Sequence, residues 1–205
     1  MPNSEQIYPD LAVAILAGGI SRRFGADKAL IRLATNQPTL IEQTVSIARA
    51  LSDDIRVVGH DRFAGLGLGV PIVPDDHPGQ GPLEGIATAL RYSDRLRLLV
   101  LACDMPCLSL SLLRLLVERP SAADVIIPRT NDGQWHSMHA IYRTSVLRPI
   151  EDLLRSGDTA VHLLFDRVTV DAVGETELRT VDPELDSLIN LNRPVDLERI
   201  DRCQS

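Results

Sequence analysis

Apolar and polar positions along this chain fall into short blocks of two kinds. Residues 11–17 form an unbroken apolar run that ends in Gly18-Gly19, and Arg97–Ala102 form a second that stops just before Asp104. Runs of this length, closed by turn residues, fit strands covered on both faces, as in a parallel sheet. Further strands are expected over residues 54–59, 70–74, 124–128 and 138–142, with an edge strand over 166–171. Between them the period lengthens. Leu40, Ile41, Val45, Ile47, Ala48 and Leu51 make a helical stripe over residues 39–51. A second helix opens at Gly81-Pro82, with Pro82 in the first turn and Glu84 near the positive end. Ser109 or Ser111 caps a third that runs to Glu118, residues 144–156 make a fourth, and Asn192 or Arg193 leads into a terminal one. Alternating strands and helices predict an α/β domain with a mostly parallel sheet over residues 11–203, after a flexible, unstructured N-terminal extension of residues 1–10. Ligands of open α/β sheets bind beyond the carboxyl ends of the strands, so residues 16–28 and 103–107 are expected to be neighbours in space.

Composition narrows the classes. The 205 residues suffice for one sizeable core, with no repeat, low-complexity tract or obvious linker. No window is apolar enough for a membrane span, and the first ten residues lack the pattern of a signal peptide. A formal net charge of −7 and 3% aromatic residues argue against a nucleic-acid binder. Three cysteines, Cys103, Cys107 and Cys203, make neither an even disulfide framework nor a zinc spacing. Cys103 and Cys107 read as buried small hydrophobes, and a cytoplasmic location is expected. Any anion bound here must be held locally, by a few placed cations, backbone NH groups or a metal.

One lysine, Lys28, stands against twenty arginines, and it closes the glycine-rich turn. An ammonium reaches a phosphate as a compact point charge, a task that suits the planar guanidinium less. Gly18 and Gly19 leave backbone NH groups open to close approach, and Arg22 and Arg23 add charge. Five residues separate Gly19 from Gly25, and Lys28 follows no glycine, so this is not a P-loop. Asp104, directly after a buried strand, is suited to a hard cation such as magnesium, which takes one or two carboxylates, waters and phosphate oxygens. It could equally be a turn aspartate ahead of proline. Asp75, after the strand that ends at residue 74, begins a loop shaped by glycines and prolines that enters the helix at Gly81-Pro82. His136 and His139 form H-x-x-H, but in a strand the helical ligand spacing fails and zinc is not expected. Asn190 and Asn192 place two amides ahead of the last helix, where capping is the commoner role.

Leu16-Ala17-Gly18-Gly19 with Arg22-Arg23-x-Gly25-x-Asp27-Lys28 resembles the signature of the molybdenum cofactor guanylyltransferases, the MobA type. Gly81-Pro82-Leu83-x-Gly85, Cys103-Asp104-Met105-Pro106 and Asn190-x-Asn192-x-Pro194-x-Asp196-Leu197 extend the likeness over essentially the whole chain. The resemblance implies a three-layer α/β/α, Rossmann-like nucleotidyltransferase fold. It also implies transfer of GMP from GTP to molybdenum-loaded molybdopterin, with pyrophosphate released. By position, Leu16, Ala17, Gly18, Gly19, Gly81 and Pro82 would contact the nucleotide, Lys28 and Arg22 its phosphates, and Asp75 the nucleoside side. Asp104 would bind Mg2+, and Asn190 and Asn192 would lie on the pterin side. Partners would be the two substrates and, transiently, molybdopterin-handling proteins or apo-molybdoenzymes. Two departures stand out. Gly59 replaces an asparagine frequent after the second strand, which removes a side-chain contact to GTP, and His136-Ser137-Met138 replaces His-Pro-Leu. Rival readings are a CTP-dependent or other phosphate-activating nucleotidyltransferase and a noncatalytic carrier of the pterin.

Overall fold

A computed structural model describes residues 6–18, 27–59 and 61–191, and only the backbone of residues 61 and 62. The two apolar runs become adjacent central strands, β1 (Leu11–Leu16) and β4 (Arg97–Ala102), paired in parallel from Leu11↔Arg97 to Leu16↔Ala102. Their residues are buried to both sides, which is why neither run alternates with polar positions. Leu11, Val13 and Ile15 enter one core with Ile41 and Val45 of helix α1 (Leu40–Arg49) and Leu112 and Leu116 of α3 (Leu110–Val117). Ala12 and Ala14 enter the opposite core with Leu83 and Ile86 of α2 (Pro82–Arg91) and Ile150 and Leu153 of α4 (Leu147–Arg155). Two cores, one on each face of a sheet, make the three layers α/β/α.

The other strands are β2 (Asp54–Gly59), β3 (Ile72–Pro74), β5 (Val125–Arg129), β6 (His139–Arg143) and β7 (Val170–Gly174). Their order across the sheet is β3-β2-β1-β4-β6-β5-β7, and only β6 runs against the rest. No helix lies between β5 and β6, and a parallel return needs a crossover of a dozen residues or more, so the pair closes as an antiparallel hairpin. The chain leaves β1 towards β2 and later returns to β1's other flank with β4. The order therefore reverses between β1 and β4, and a crevice opens at their carboxyl ends.

Local chemistry fixes most boundaries. Thr39 and Glu42 form a reciprocal capping box at α1, with Thr39 N donating to Glu42 Oε2 at 2.7 Å and Glu42 N to Thr39 Oγ1 at 3.4 Å. Ser109, rather than Ser111, caps α3, its Oγ accepting from Leu112 N at 3.3 Å. The expected helix over 144–156 begins as a 3-10 turn, Thr144–Val146, before α4. The edge strand expected over 166–171 lies later, at Val170–Gly174. Residues Val161–Asp166 instead make a 3-10 turn that buries Val161 and Leu164 in the α2–α4 core. A short α5 (Glu175–Leu178) follows.

Two expectations are corrected. The extension does not reach residue 10: Tyr8 is buried, its NH donates to Leu51 O at 2.9 Å, and Asp10 pairs with Arg97 at 2.6 Å. Cys107 is disulfide-bonded, so it is not the plain buried hydrophobe expected, while Cys103 is a free, partly buried thiol packed against the core. No helix among the described residues is long and apolar enough to cross a membrane. The terminal helix expected from residue 192 or 193 lies outside the described residues.

Candidate active site

The crevice between the ends of β1 and β4 gathers most of the residues singled out from sequence. β1 ends at Leu16, Ala17 continues the ladder by donating to Val58 O at 2.8 Å, and Cys103 N reaches Leu16 O at 3.3 Å. Gly18 and Asp104 thus leave neighbouring strands on the same edge. Lys28, opening a 3-10 turn capped by the Asp27 side chain, closes the distance: its Nζ lies 3.1 Å from Asp104 Oδ2. Both side chains are about four-fifths buried, at 15% and 20% exposure, so the pair is shielded yet reachable. Seventy-six residues apart in sequence, the two groups meet only because β1 and β4 are neighbours.

Asp75 follows β3, and its carboxylate points at the same turn: a Cβ placed on Gly18 would lie 3.6 Å from Asp75 Oδ2. Burial pushes the Asp75 carboxyl above its ordinary range, against the hydrogen bond from His77 N at 3.2 Å, and nearby Glu84 and Asp76 push the same way. The helix start is set by Gly81, at φ 83° and ψ −174°, which only glycine adopts without strain, and Pro82 takes the first helical position.

Gly59 ends β2 against the stem of the glycine turn. A Cβ there would lie 2.9 Å from Ala17 C and 3.1 Å from Gly18 N, closer than non-bonded atoms tolerate. The missing side chain noted from sequence therefore has a steric cause: the backbone of the turn fills the place it would need.

At the far end of the chain Leu191 N donates to the Asp104 carbonyl at 2.8 Å, which brings Asn190 beside the β4 edge. Asn190 Oδ1 is buried and has no hydrogen-bond partner among the described residues. Arg22, Gly19 and Asn192 lie outside the described residues. No group of three or more His, Cys, Asp or Glu among the described residues is placed to hold a metal. The hard carboxylate of Asp104 and the orphaned amide oxygen of Asn190 are donors of the kind a hard divalent cation takes, together with water and substrate oxygens. Cys103, next to Asp104, is no nucleophile, since burial pushes its thiol up to about 12.

Residues 136–138 turn into β6 with His136 N bonded to Pro128 O at 3.1 Å and Ser137 O accepting from Tyr142 Oη at 2.9 Å. His139 is completely buried in β6, and burial holds its imidazole down at about 3. Sequence reasoning missed the partners of Glu84, a buried carboxylate held by Arg91 at 2.9 Å and His77 at 3.1 Å. An acid and an arginine seven positions apart share a helix face, and that spacing was the available signal.

The MobA-like NTP transferase domain family matches residues 13–170. A protein of Chloroflexus aggregans named probable molybdenum cofactor guanylyltransferase is 34% identical over 189 residues, 91% of each chain. One of the same name from Carboxydothermus hydrogenoformans is 34% identical over 93% of this chain and 95% of its own. Among solved structures, molybdopterin-guanine dinucleotide biosynthesis protein A of Archaeoglobus fulgidus superposes with a TM-score of 0.80 at 28% identity, over 94% of this chain and 98% of the other. A family model that covers most of the chain, and relatives a third identical along nine-tenths of it, show that this chain belongs to the MobA-like NTP transferase domain family.

Proposed function

We propose that this protein is a molybdenum cofactor guanylyltransferase, which transfers GMP from GTP to molybdenum-loaded molybdopterin and releases pyrophosphate. The observation that carries the reading is the Lys28–Asp104 pair, 3.1 Å apart beside Gly18, in a chain that shares a third of its residues with guanylyltransferases along nine-tenths of its length. A cation and a metal-type carboxylate at one strand edge suit a triphosphate and little else of comparable size.

The chemistry is an in-line displacement. A terminal phosphate oxygen of molybdopterin forms a bond to the α-phosphorus of GTP, the bond from that phosphorus to the β-bridging oxygen breaks, and pyrophosphate departs with the electron pair. The nucleophile is already anionic, so no general base is required, and catalysis rests on alignment and charge neutralisation. Leu16, Ala17 and Gly18 present backbone to the nucleotide, and Lys28 moves from Asp104 to the phosphates. By motif position alone, Gly19 and Arg22 are assigned to the nucleotide and its phosphates. Asp75, held beside Gly18, faces the nucleoside, while the Gly81-Pro82 helix start borders it. The pterin side is assigned to Asn190 and, by motif position alone, to Asn192. Asp104 would hold Mg2+, whose charge would offset that of the phosphates.

Purified protein mixed with Mg2+, molybdenum-loaded molybdopterin and either GTP or CTP tests this. The guanine dinucleotide and stoichiometric pyrophosphate are expected from GTP. A cytosine dinucleotide from CTP would transfer the reading to the cytidylyl reaction, and pterin binding without pyrophosphate release would make the protein a carrier.

A further inference from the structure

The loop from Asp75 to Gln80 is fastened to α2 by a set of groups to which the transfer reaction assigns no role. Glu84, in the first turn of α2, is 1% exposed. Its Oε1 accepts from Arg91 Nη1 at 2.9 Å, lies 3.1 Å from His77 Nδ1 and lies 3.4 Å from Thr88 Oγ1. Thr88 Oγ1 in turn accepts from Asp76 N at 3.3 Å. Arg91 reaches out of the helix to Asp76 Oδ2 at 2.9 Å and, through Nε, to Glu151 of α4 at 3.2 Å. Three consecutive loop residues are therefore tied down. Asp76 is held by backbone and side chain, His77 by its ring, and Asp75 by the hydrogen bond from His77 N to its Oδ1 at 3.2 Å.

Helix stability alone does not call for this arrangement. A carboxylate near a helix N-terminus favours the helix end without being buried, whereas burying one carries a desolvation cost that its partners must offset. An apolar side chain would fill the same space in the α2–α4 core more cheaply. What the carboxylate adds is a fixed hub from which both the ring of His77 and the guanidinium of Arg91 are aimed at the loop.

We propose that Glu84 is a positioning residue for nucleotide binding. Acting through His77, Thr88 and Arg91, it fixes the backbone of residues 76 and 77 and so holds the Asp75 carboxylate in place beside Gly18. The inference rests on the reading of Asp75 as a nucleoside-side group, and it adds what sets that group's geometry. It concerns ground-state binding, so its loss raises KM for the nucleotide and leaves the displacement step intact.

The test compares wild type with Glu84→Ala, Glu84→Gln and His77→Ala by steady-state kinetics on GTP and by amide hydrogen exchange of the free protein. Glu84→Ala is expected to raise KM for GTP about 10-fold with kcat within about 3-fold. Exchange at the amides of residues 76, 77, 79 and 80 should speed up by about 10-fold or more while β1 and β4 stay protected. Glu84→Gln, which keeps a hydrogen-bonding side chain without the charge, should restore most of the wild-type KM. If Glu84→Ala does not fold, His77→Ala decides, since its ring is largely exposed and its removal unties only the loop; a several-fold rise in KM is expected. A wild-type KM in Glu84→Ala, or in His77→Ala where Glu84→Ala does not fold, overturns the proposal, and so does loop exchange in that variant unchanged from wild type. The exchange readout needs no substrate, so failure of the wild-type protein to use GTP would refute the guanylyltransferase reading while the clamp itself was still decided.

Discussion

Replacing Gly59 by alanine adds one methyl group at the point where β2 meets the stem of the glycine turn. The new Cβ would lie 2.9 Å from Ala17 C, 3.0 Å from Ala17 O and 3.1 Å from Gly18 N, where ordinary contact begins at 3.4 Å. All three are backbone atoms, so no rotamer change relieves the clash. The strands are also pinned to each other by the Leu16↔Val58 pairing and the 2.8 Å bond from Ala17 N to Val58 O. The turn must therefore retreat by about 0.5 Å, or the end of β2 must peel away. Overpacking of this kind costs about 1–3 kcal/mol, which in a domain of this size lowers Tm by roughly 2–12 °C. On the proposed reading the displaced peptide presents its backbone to the nucleotide, so kcat/KM should fall by about 10-fold or more; an error near 1 Å at a reacting centre can cost about 10²-fold. Calorimetry and pyrophosphate release from GTP measure the two effects. Gly65→Ala is the control, because a Cβ there meets nothing within 4 Å, and it should match wild type in both assays. Gly59→Ala with wild-type Tm and turnover would refute the steric account.

Lys28→Ala and Asp104→Ala should each lower turnover by about 10²-fold or more, and Lys28→Arg should also be poorly tolerated, since a planar guanidinium does not reproduce the position of the ammonium. At 3.1 Å the pair's gross attraction is about 5 kcal/mol at an effective dielectric of about 20, most of it offset by desolvation. Tm should thus fall only modestly, and wild-type turnover in either alanine variant would sink the assignment. His139, fully buried with no partner for either ring nitrogen among the described residues, is held neutral down to about pH 3. Below about pH 6.5 the unfolded chain takes up a proton that the folded one refuses, so stability falls as pH drops towards 3, by up to about 1.4 kcal/mol per pH unit. His139→Leu should flatten that slope in denaturant titrations between pH 7 and 5; His136, also held low by burial, contributes equally to both proteins. An unchanged slope would count against a neutral buried ring. Thr39→Ala removes the capping box of α1 and should cost about 1 kcal/mol in urea unfolding; no measurable loss would show the cap to be redundant.

The amino-acid sequence by itself determined the two central strands and their ends. A continuous apolar run is a local signal, so β1 and β4 could be read almost to the residue, and with them the glycine turn and Asp104 at the edge where ligands bind. Pro82 behind Gly81 marked α2 for the same reason, and the apolar stripe from Leu40 to Leu51 marked α1. The family resemblance, carried by ordered short motifs, fell within the same reach. Tertiary structure decided what depends on partners distant in the chain. Val170–Gly174 became the edge strand because Val161 and Leu164 are drawn into a core built from α2 and α4, which no local period encodes. Lys28 met Asp104 only through the order of the strands. Gly59 looked like a lost contact until the backbone of Ala17 was seen to fill its space. Glu84 looked like a helix-end charge until Arg91, His77 and Thr88 closed around it. Periodicity records which face of an element is buried; it cannot record against what, and at this site the chemistry lies in that second fact.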